Sequence, residues 1–328
     1  MTTAAAPLSR CAPHLRTLLD LGEDRVRTVL RAALQMKRNP QAFSQALAGK
    51  AIVMLFEKPS LRTRVSFEVG MARLGGAAVY LDHTQDRIGM RESVSDYARN
   101  LERWADAVVA RTYSHRTIEA LASASSAPVV NALSDHCHPC QALADCLTLL
   151  ERFGPLEGLP LTFVGDGNNV CVSLLRAGAL LGMRLTVCCP PGYEPPGAVV
   201  AEAQELAAAR NGAVRITHDP LQAVQGAKAV YTDVWTSMGQ TEQAQQRRAD
   251  FAPYQVTTRL MAQAAPDAVF MHCLPAHRGE EVEAAVIDSA QSVVYDQAEN
   301  RMHAQNALLT LLLRPEALPE EAMPHVDS

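Results

Sequence analysis

The chain has 328 residues, of which 48% are hydrophobic and 20% charged, and a formal net charge of −5 at pH 7. This composition is typical of a soluble protein with room for two domains. It excludes a polybasic nucleic-acid surface, and no apolar run is long enough to cross a bilayer. We expect no secretory signal, because the N-terminal residues show no basic region followed by a continuous apolar stretch, and the eight cysteines do not resemble a disulfide framework. We therefore expect a cytoplasmic protein without nucleic-acid or membrane partners.

The first part of the chain predicts short helices over 14–47 and then an alternation of strands and helices. The predicted strands are 51–57, 77–82, 107–113 and 128–132, and the predicted helices are 61–74, 92–104, 117–125 and 140–152. The polar, unpatterned segment 82–92 predicts a mobile loop. A Gly/Pro cluster at 154–160 predicts a domain boundary.

A second alternation follows this boundary. The predicted strands are 161–165, 184–189, 213–217, 229–234, 268–274 and 292–296, and the predicted helices are 170–181, 198–210, 219–226, 256–264, 280–289 and 299–313. Two such alternations predict an α/β fold with two open, mainly parallel β-sheet domains and helices on both faces. The acidic, proline-rich end predicts a frayed tail.

The segment after the first predicted strand has the pattern of an anion site. Ser60, Arg62, Thr63 and Arg64 crowd the first turn of the following helix. A helix start offers backbone N–H groups and the positive end of the dipole, and arginine suits a phosphate. The alternative is a capped helix with surface arginines.

Polar residues also follow other predicted strands, where open parallel sheets bind their ligands. His138 and Gln141 follow the fourth strand, and together they could bind a carbonyl or an NH2 group. The same stretch contains Cys137 and Cys140, for which zinc is the weaker alternative because no second ligand pair stands at suitable spacing.

The fifth strand is followed by Gly165-Asp166-Gly167-Asn168-Asn169. This turn lacks the third glycine of a dinucleotide fingerprint, and no acidic residue ends the next strand. The two asparagines are therefore either binding groups for a polar ligand or helix caps.

Two further strand ends carry chemistry. Asp233 could hold an ammonium group or cap a helix. Cys273 stands beside His272 and near Arg278, a setting that could lower the pKa of its thiol and suit a Cys–His nucleophile pair. A small buried hydrophobe is the plain alternative for Cys273.

Taken together, these motifs resemble the aspartate/ornithine transcarbamylase family and, within it, the ornithine carbamoyltransferases. The matching motifs, in the order of the family, are SLRTR (60–64), HPCQ (138–141), GDGNN (165–169), DVWTSMG (233–239), HCLP (272–275) and DQAENRMH (296–303). The first two are general to transcarbamylases, and the SMG and HCLP motifs are more specific.

The resemblance implies transfer of the carbamoyl group from carbamoyl phosphate to the side-chain amine of L-ornithine, as part of arginine metabolism, with no metal or organic cofactor. It implies a homotrimer with active sites at subunit boundaries. Residues 1–150, completed by a C-terminal helix at about 299–315, would bind carbamoyl phosphate, and 151–298 would bind ornithine, leaving 316–328 as a flexible tail. The alternative is another amine acceptor, either putrescine or an acylated ornithine.

The resemblance also implies roles for individual residues, with Cys273, Arg111 and His138 as the catalytic groups. The residues implied to bind carbamoyl phosphate are Ser60, Leu61, Arg62, Thr63, Arg87, Arg111, His138, Gln141, Cys273, Leu274 and Arg301. Those implied to bind ornithine are Asn169, Asp233, Ser237 and Met238.

Two positions depart from the family pattern. Leu61 replaces a usual threonine, which is harmless if that position acts through its backbone. In the 82–92 segment Arg87 stands where glutamine is usual, with Gln85 two residues earlier. We expect Arg87, rather than Gln85, to reach the phosphate across the subunit boundary, because arginine suits phosphate better than an amide does.

The reaction requires a neutral amine, although the free amine is protonated at neutral pH. We expect Cys273 and Asp233 to favour the loss of that proton, and Arg111, His138 and Thr63 to stabilise the negative oxygen of the tetrahedral centre. No covalent intermediate is needed, so Cys273 is interpreted as an orienting or proton-handling group.

Overall fold

The computed structural model describes residues 14–236 and 244–322. These residues form two compact units. The first unit comprises the described residues up to Leu143 and from Arg301 onward, and the second comprises Ala144–Asn300.

The first unit is built on a parallel sheet of four strands in the order β2-β1-β3-β4. The strands are β1 Ala51–Phe56, β2 Ala77–Asp82, β3 Ala107–Arg111 and β4 Val129–Leu133. The central strands β1 and β3 are almost wholly buried because all their residues except Arg111, at the end of β3, are apolar. Phe56 is in register with Arg111, so the segments that leave these two strands start at the same edge of the sheet.

Several helices belong to the first unit together with this sheet. They are α1 Gly22–Arg38, α2 Leu61–Arg73, α3 Val94–Leu101, α4 His115–Ala124 and the first residues of α5 Pro139–Phe153. Apolar residues of α3 and α4 pack against β1 and β3 to form a buried cluster. The unit also contains the part of the last helix, α12 Val294–Leu313, that begins at Arg301.

The second unit is built on a parallel sheet of five strands in the order β7-β6-β5-β8-β9. The strands are β5 Pro160–Val164, β6 Arg184–Cys188, β7 Ala213–Thr217, β8 Ala229–Thr232 and β9 Val269–His272. The helices are α6 Asn169–Leu180, α7 Gly197–Ala208, α8 Pro220–Ala223, α9 Ala244–Phe251, α10 Thr258–Met261 and α11 Ala284–Ile287. The predicted fold class, with two parallel sheets and helices, is confirmed.

The predicted strand 292–296 is wrong. Ser292 forms an isolated bridge with Phe270, and α12 already begins at Val294, five positions before the predicted 299. A short apolar run such as Val293-Val294 fits a strand and a buried helix start equally well, so periodicity could not decide between them.

The C-terminal segment is more ordered than the sequence predicts. Residues 316–322 contribute to two 3-10 turns, and Leu318 and Ala322 are buried. Nε of Arg31 donates to the carbonyl of Ala322 at 3.1 Å. The remainder of the predicted tail, 323–328, lies outside the described residues. Within the described part of the chain, no helix is both long and apolar enough to span a membrane.

Candidate active site

The start of α2 combines a capped helix with the predicted anion site. The side chain of Ser60 accepts a 3.3 Å hydrogen bond from the backbone N–H of Thr63 and is the N-cap, as the alternative interpretation proposed. The cap does not exclude an anion, because the first turn still directs backbone N–H groups outward. Leu61 is the first residue of α2, and its side chain is 74% exposed.

Arg64 does not behave as the sequence predicts. Its Nε donates to Glu68 at 3.0 Å, and its guanidinium carbon lies 3.9 Å from the centre of the Tyr80 ring. The guanidinium group of Arg64 therefore contacts Glu68 and Tyr80 rather than the start of α2.

Arg301, on α12, links the start of α2 to the start of α5. One guanidinium nitrogen donates to Oγ1 of Thr63 at 3.0 Å, and another donates to Oε1 of Gln141 at 2.7 Å. All three side chains are buried. Three predicted carbamoyl phosphate residues, which are far apart in the sequence, are thus in direct contact.

His138 lies in the same group and is buried with Arg111. Burial holds the pKa of His138 well below its usual value of 6.5, and the positive charges of Arg301, Arg111 and Arg62 act in the same direction. The imidazole is consequently neutral at pH 7. The surroundings combine several guanidinium groups with a neutral donor, which is the electrostatic setting that a phosphate with an attached carbonyl requires.

Lys58 is a basic residue of this region that the sequence interpretation missed. Its side chain is buried, and its Nζ lies 4.5 Å from the centre of the Tyr113 ring. Burial lowers its pKa, followed by the nearby charge of Arg111. The sequence did contain a signal for Lys58, because this residue lies between a predicted strand and a predicted helix start, where a ligand site is expected.

The segment that carries Arg87 is tied to the sheet by Glu57. The buried Glu57 carboxylate accepts from the backbone N–H of Ile88 at 3.0 Å and from that of Tyr113 at 2.8 Å. The guanidinium carbon of Arg87 lies 4.3 Å from the centre of the Tyr113 ring. Arg87 and Gln85 are both exposed, so the choice between them as the phosphate contact of a neighbouring subunit stays a prediction.

In the second unit, Asp233 is the centre of a small hydrogen-bonded group at the ends of β8 and β9. Its Oδ1 accepts from the Cys273 thiol at 3.1 Å and from the backbone N–H of Val234 at 2.8 Å. Its Oδ2 accepts from Nδ2 of Asn168 at 2.8 Å. The Asp233 side chain is buried, whereas that of Cys273 is half-buried and accessible.

His272 and Arg278 do not surround the thiol in the way that the sequence suggests. Nδ1 of His272 accepts from the backbone N–H of Leu274 at 2.8 Å, and its Nε2 lies 3.2 Å from Oε1 of the buried Glu281. Arg278 forms an ion pair with Asp288 at 2.6 Å. The thiol instead donates to the Asp233 carboxylate, which is a negatively charged type of partner rather than the cationic one that the sequence suggests.

Leu274 has a left-handed backbone, with φ of +57°. This conformation is costly for leucine, and the contact of its N–H with His272 helps to hold it. The strain lies directly beside Cys273, where predicted substrate contacts meet.

Within residues 14–236 and 244–322, two groups of side chains have the spacing of metal ligands. In each group one donor atom per residue lies within 4.8 Å of the others, and the groups are Asp233 with His272 and Cys273, and His277 with Glu280 and Glu281. In the first group the ring nitrogens of His272 already have hydrogen-bond partners. Glu280 of the second group is paired with Arg248 at 2.8 Å.

Comparison with known proteins decides the family. Residues 13–151 match the carbamoyl-P binding domain of aspartate/ornithine carbamoyltransferase, and residues 157–312 match the Asp/Orn binding domain. The chain therefore belongs to the aspartate/ornithine carbamoyltransferase family.

Individual relatives support this assignment. An ornithine carbamoyltransferase from Shewanella oneidensis is 52% identical over 299 residues, which are 91% of this chain and 99% of the relative. The solved ornithine carbamoyltransferase of Pyrococcus furiosus has a TM-score of 0.89 at 48% identity, and covers 92% of this chain and 97% of its own. The solved ornithine carbamoyltransferase of Thermus thermophilus has a TM-score of 0.84 at 46% identity, and the match covers 92% of this chain and 99% of that chain.

Two of the residues expected to bind ornithine in this carbamoyltransferase lie in the second unit. Asp233 is hydrogen-bonded to Cys273, and Asn169 is the first residue of α6, directly after Asn168. Ser237 and Met238 lie outside the described residues. Cys137 and Cys140, the weaker zinc alternative, are buried, and their thiols donate to the carbonyls of Arg16 at 3.3 Å and Asn131 at 3.5 Å.

A second feature that sequence interpretation missed in this carbamoyltransferase is Arg247, on α9. Its guanidinium group is hydrogen-bonded to Asp166, and its Nε donates to the carbonyl of Trp235 at 2.5 Å. Burial raises the pKa of Asp166, while Arg247 acts in the opposite direction. The helix α9 was not predicted because AQQRRADF has weak amphipathic patterning.

Proposed function

We propose residue roles and a mechanism for carbamoyl transfer by this chain. The reaction moves the carbamoyl group of carbamoyl phosphate to the side-chain amine of L-ornithine and yields L-citrulline and phosphate. The observation that best supports the residue roles is the buried arrangement in which Arg301 contacts both Thr63 and Gln141. It stands next to His138, whose neutral state follows from burial.

The first unit is proposed to bind carbamoyl phosphate. Its phosphate would lie at the start of α2, where the helix dipole and the Arg62 guanidinium group balance the negative charge. The neutral His138 and Arg111 would donate to the carbonyl oxygen, whose charge grows as the tetrahedral centre forms. Ser60 and the backbone of Leu61 complete this proposed set.

The second unit is proposed to bind ornithine. A buried carboxylate favours a cation, so Asp233 suits the side-chain ammonium group. Cys273 lies 3.1 Å from Asp233 and is accessible. Asn169, Ser237 and Met238 would hold the amino-acid end of the substrate, and Leu274 would line the reacting centre with Cys273.

The mechanism we infer is direct attack by the neutral amine. The ammonium group gives one proton to the Asp233 carboxylate, the neutral nitrogen adds to the carbamoyl carbon, and phosphate departs from the tetrahedral centre with the second proton of that nitrogen. The thiol donates to Asp233 in the resting arrangement, which suits an orienting and proton-handling role. No bond between Cys273 and the carbamoyl carbon is needed, and neither is a metal or an organic cofactor.

A homotrimer is proposed from an apolar stripe on the first unit. Leu61, Val65 and Val69 follow each other at four-residue spacing on α2, and Val79 lies on the edge strand β2; all four are exposed. Contiguous exposed apolar side chains favour burial against another copy. In such an assembly Arg87 would reach the carbamoyl phosphate of the neighbouring subunit.

A biosynthetic role in the cytoplasm is also proposed. The Pyrococcus furiosus relative, 48% identical over 308 residues, is named as the anabolic enzyme. Among the described residues, six of the seven cysteines are buried and all seven are free thiols, which suits a reducing compartment.

The test is an assay of carbamoyl phosphate with ornithine, acetylornithine and putrescine as acceptors. We expect citrulline as the main product and little reaction with the other amines. Acetylornithine is included because a structural relative with a TM-score of 0.83 at 30% identity is an acetylornithine transcarbamylase. A preference for acetylornithine or putrescine would overturn the ornithine assignment. Arg62→Ala should strongly weaken carbamoyl phosphate binding, and an unchanged affinity would refute the phosphate assignment.

A further inference from the structure

Asn168, at the turn between β5 and α6, uses its side-chain amide in two directions. Oδ1 accepts from the backbone N–H groups of Val170 at 2.9 Å and Cys171 at 3.1 Å, so Asn168 is the N-cap of α6. Nδ2 donates to Oδ2 of Asp233 at 2.8 Å. Because both partners of Oδ1 are donors, the amide cannot be flipped, and its NH2 group must face the carboxylate.

The Asp233 carboxylate is thereby held on both oxygens. Its other oxygen, Oδ1, accepts from the Cys273 thiol and from the backbone N–H of Val234. A continuous chain of hydrogen bonds runs from Asn168 through Asp233 to the thiol. We propose that Asn168 is a positioning residue for carbamoyl transfer, which fixes the Asp233 carboxylate in the orientation that presents Oδ1 to Cys273. The inference rests on the proposed roles of Asp233 and Cys273.

The chemistry of the donor matters as much as its place. An aspartate side chain can rotate freely about its last torsion, and two partners on opposite oxygens remove that freedom. An amide orients the carboxylate without neutralising it, whereas the nearby Asp166 is paired with the cationic Arg247. Asn168 therefore adds no positive charge beside the carboxylate that is proposed to meet the cationic form of the acceptor amine.

The turn that carries Asn168 is rigid enough for this task. A Cβ on Gly167 would lie 2.2 Å from the backbone nitrogen of Pro195, so this position requires glycine. The N–H of Gly167 donates to the carbonyl of Tyr193 at 2.8 Å. A positioning group is effective only when its own backbone is fixed in this way.

The experiment separates positioning from capping. Asn168→Ser keeps a good N-cap oxygen but has no NH2 donor, and Asn168→Asp keeps the cap but turns a carboxylate toward Asp233. We expect the KM for ornithine to rise about tenfold in Asn168→Ser, the equivalent of one lost hydrogen bond to a charged group, and further in Asn168→Asp. The KM for carbamoyl phosphate should change less than twofold.

Alkylation of Cys273 by iodoacetamide gives a readout that does not need turnover. The rate at the Cys273 peptide, followed by mass spectrometry with Cys273→Ala as the blank, should fall from wild type to Asn168→Ser and again to Asn168→Asp. Each step increases the negative potential at the thiol and disfavours the thiolate. The other titratable groups near Asp233 are unchanged in these variants: Asp166, Cys171, Tyr231 and His272.

Asp219→Ala is the matched capping control, because Oδ1 of Asp219 caps α8 through the N–H of Gln222 at 3.1 Å. It should lower Tm by a few degrees and leave the ornithine KM and the alkylation rate unchanged. Alkylation rates and ornithine KM within twofold of wild type in both Asn168 variants would reduce Asn168 to a cap and overturn the inference. Failure of the wild-type protein to form citrulline would instead refute the proposed function, and the alkylation series would still test Asn168.

Discussion

Arg301 donates a 3.0 Å hydrogen bond to the hydroxyl of Thr63, a residue 238 positions earlier in the chain. The same guanidinium group donates to Gln141 at 2.7 Å. A lysine at this position could reach one partner but not both, because its ammonium group lacks the fork of arginine.

Replacing Arg301 by lysine is therefore expected to impair carbamoyl phosphate binding. The loss of one charge-assisted hydrogen bond corresponds to about ten- to hundredfold in KM, and the KM for ornithine should change much less. Arg314→Lys is the matched control, since Arg314 donates to a backbone carbonyl, that of Ala48, at 3.1 Å and is not one of the proposed site residues. Steady-state kinetics of both variants would check this prediction. A KM for carbamoyl phosphate in Arg301→Lys equal to that in Arg314→Lys would contradict it.

The low pKa of His138 predicts a pH-dependent stability. At a pH below 6.5 the unfolded chain binds a proton at His138 that the folded chain excludes, so the free energy of unfolding falls as the pH drops. His138→Gln, which does not titrate, should flatten this dependence by up to about 1.4 kcal/mol per pH unit. Urea denaturation of both proteins between about pH 5 and 7.5 measures the difference. Parallel curves would mean that His138 binds protons equally in the folded and unfolded states, so that folding does not lower its pKa.

Leu61→Thr tests whether the unusual leucine affects the phosphate site. The Leu61 side chain is 74% exposed, and we expect this position to act through its backbone. The KM for carbamoyl phosphate should therefore stay within about twofold of wild type. Thr63→Val, which removes the hydroxyl that accepts from Arg301, should raise the same KM about tenfold. A large gain in affinity for Leu61→Thr would show that a side-chain contact is missing in the natural sequence.

Val65→Glu tests the apolar stripe on α2. A charge in the centre of a buried interface is costly, so this variant should dissociate into smaller species and lose activity. Light scattering after size-exclusion chromatography would measure the mass. Leu221→Glu alters a side chain that is 45% exposed, as Val65 is, but that lies in the second unit, and it should leave the mass unchanged. A wild-type protein that is monomeric would refute the trimer.

Cys273→Ala tests the role of the thiol. The hydrogen bond to Asp233 would be lost, so the KM for ornithine should rise and kcat should fall, while measurable turnover remains. A residual activity is the expected mark of an orienting group. Complete loss of turnover, together with a carbamoyl adduct on Cys273 in wild-type protein by mass spectrometry, would favour a covalent mechanism.

Local patterns in the sequence determined much of the fold. The mostly apolar runs at 51–56, 107–111 and 160–164, bounded by turn residues, predicted buried strands, and Pro139 and the turn glycines marked where helices begin. The predictions of secondary structure failed where an apolar run was short or where a helix had little amphipathic patterning. Val293-Val294 fits a strand or a helix, and α9 has little amphipathic character.

The sequence by itself also determined the class of the site, because motifs such as SLRTR and HPCQ place recognisable groups at strand ends. It could not determine which partner each group takes. Three contacts show this. Arg301 with Thr63 and Asn168 with Asp233 join residues that are distant in the chain. Arg278 pairs with Asp288, which is near in the chain, because of the local turn between them. Hydrogen bonds and pKa shifts depend on distances of a few ångströms and on burial, and only the tertiary structure fixes these quantities.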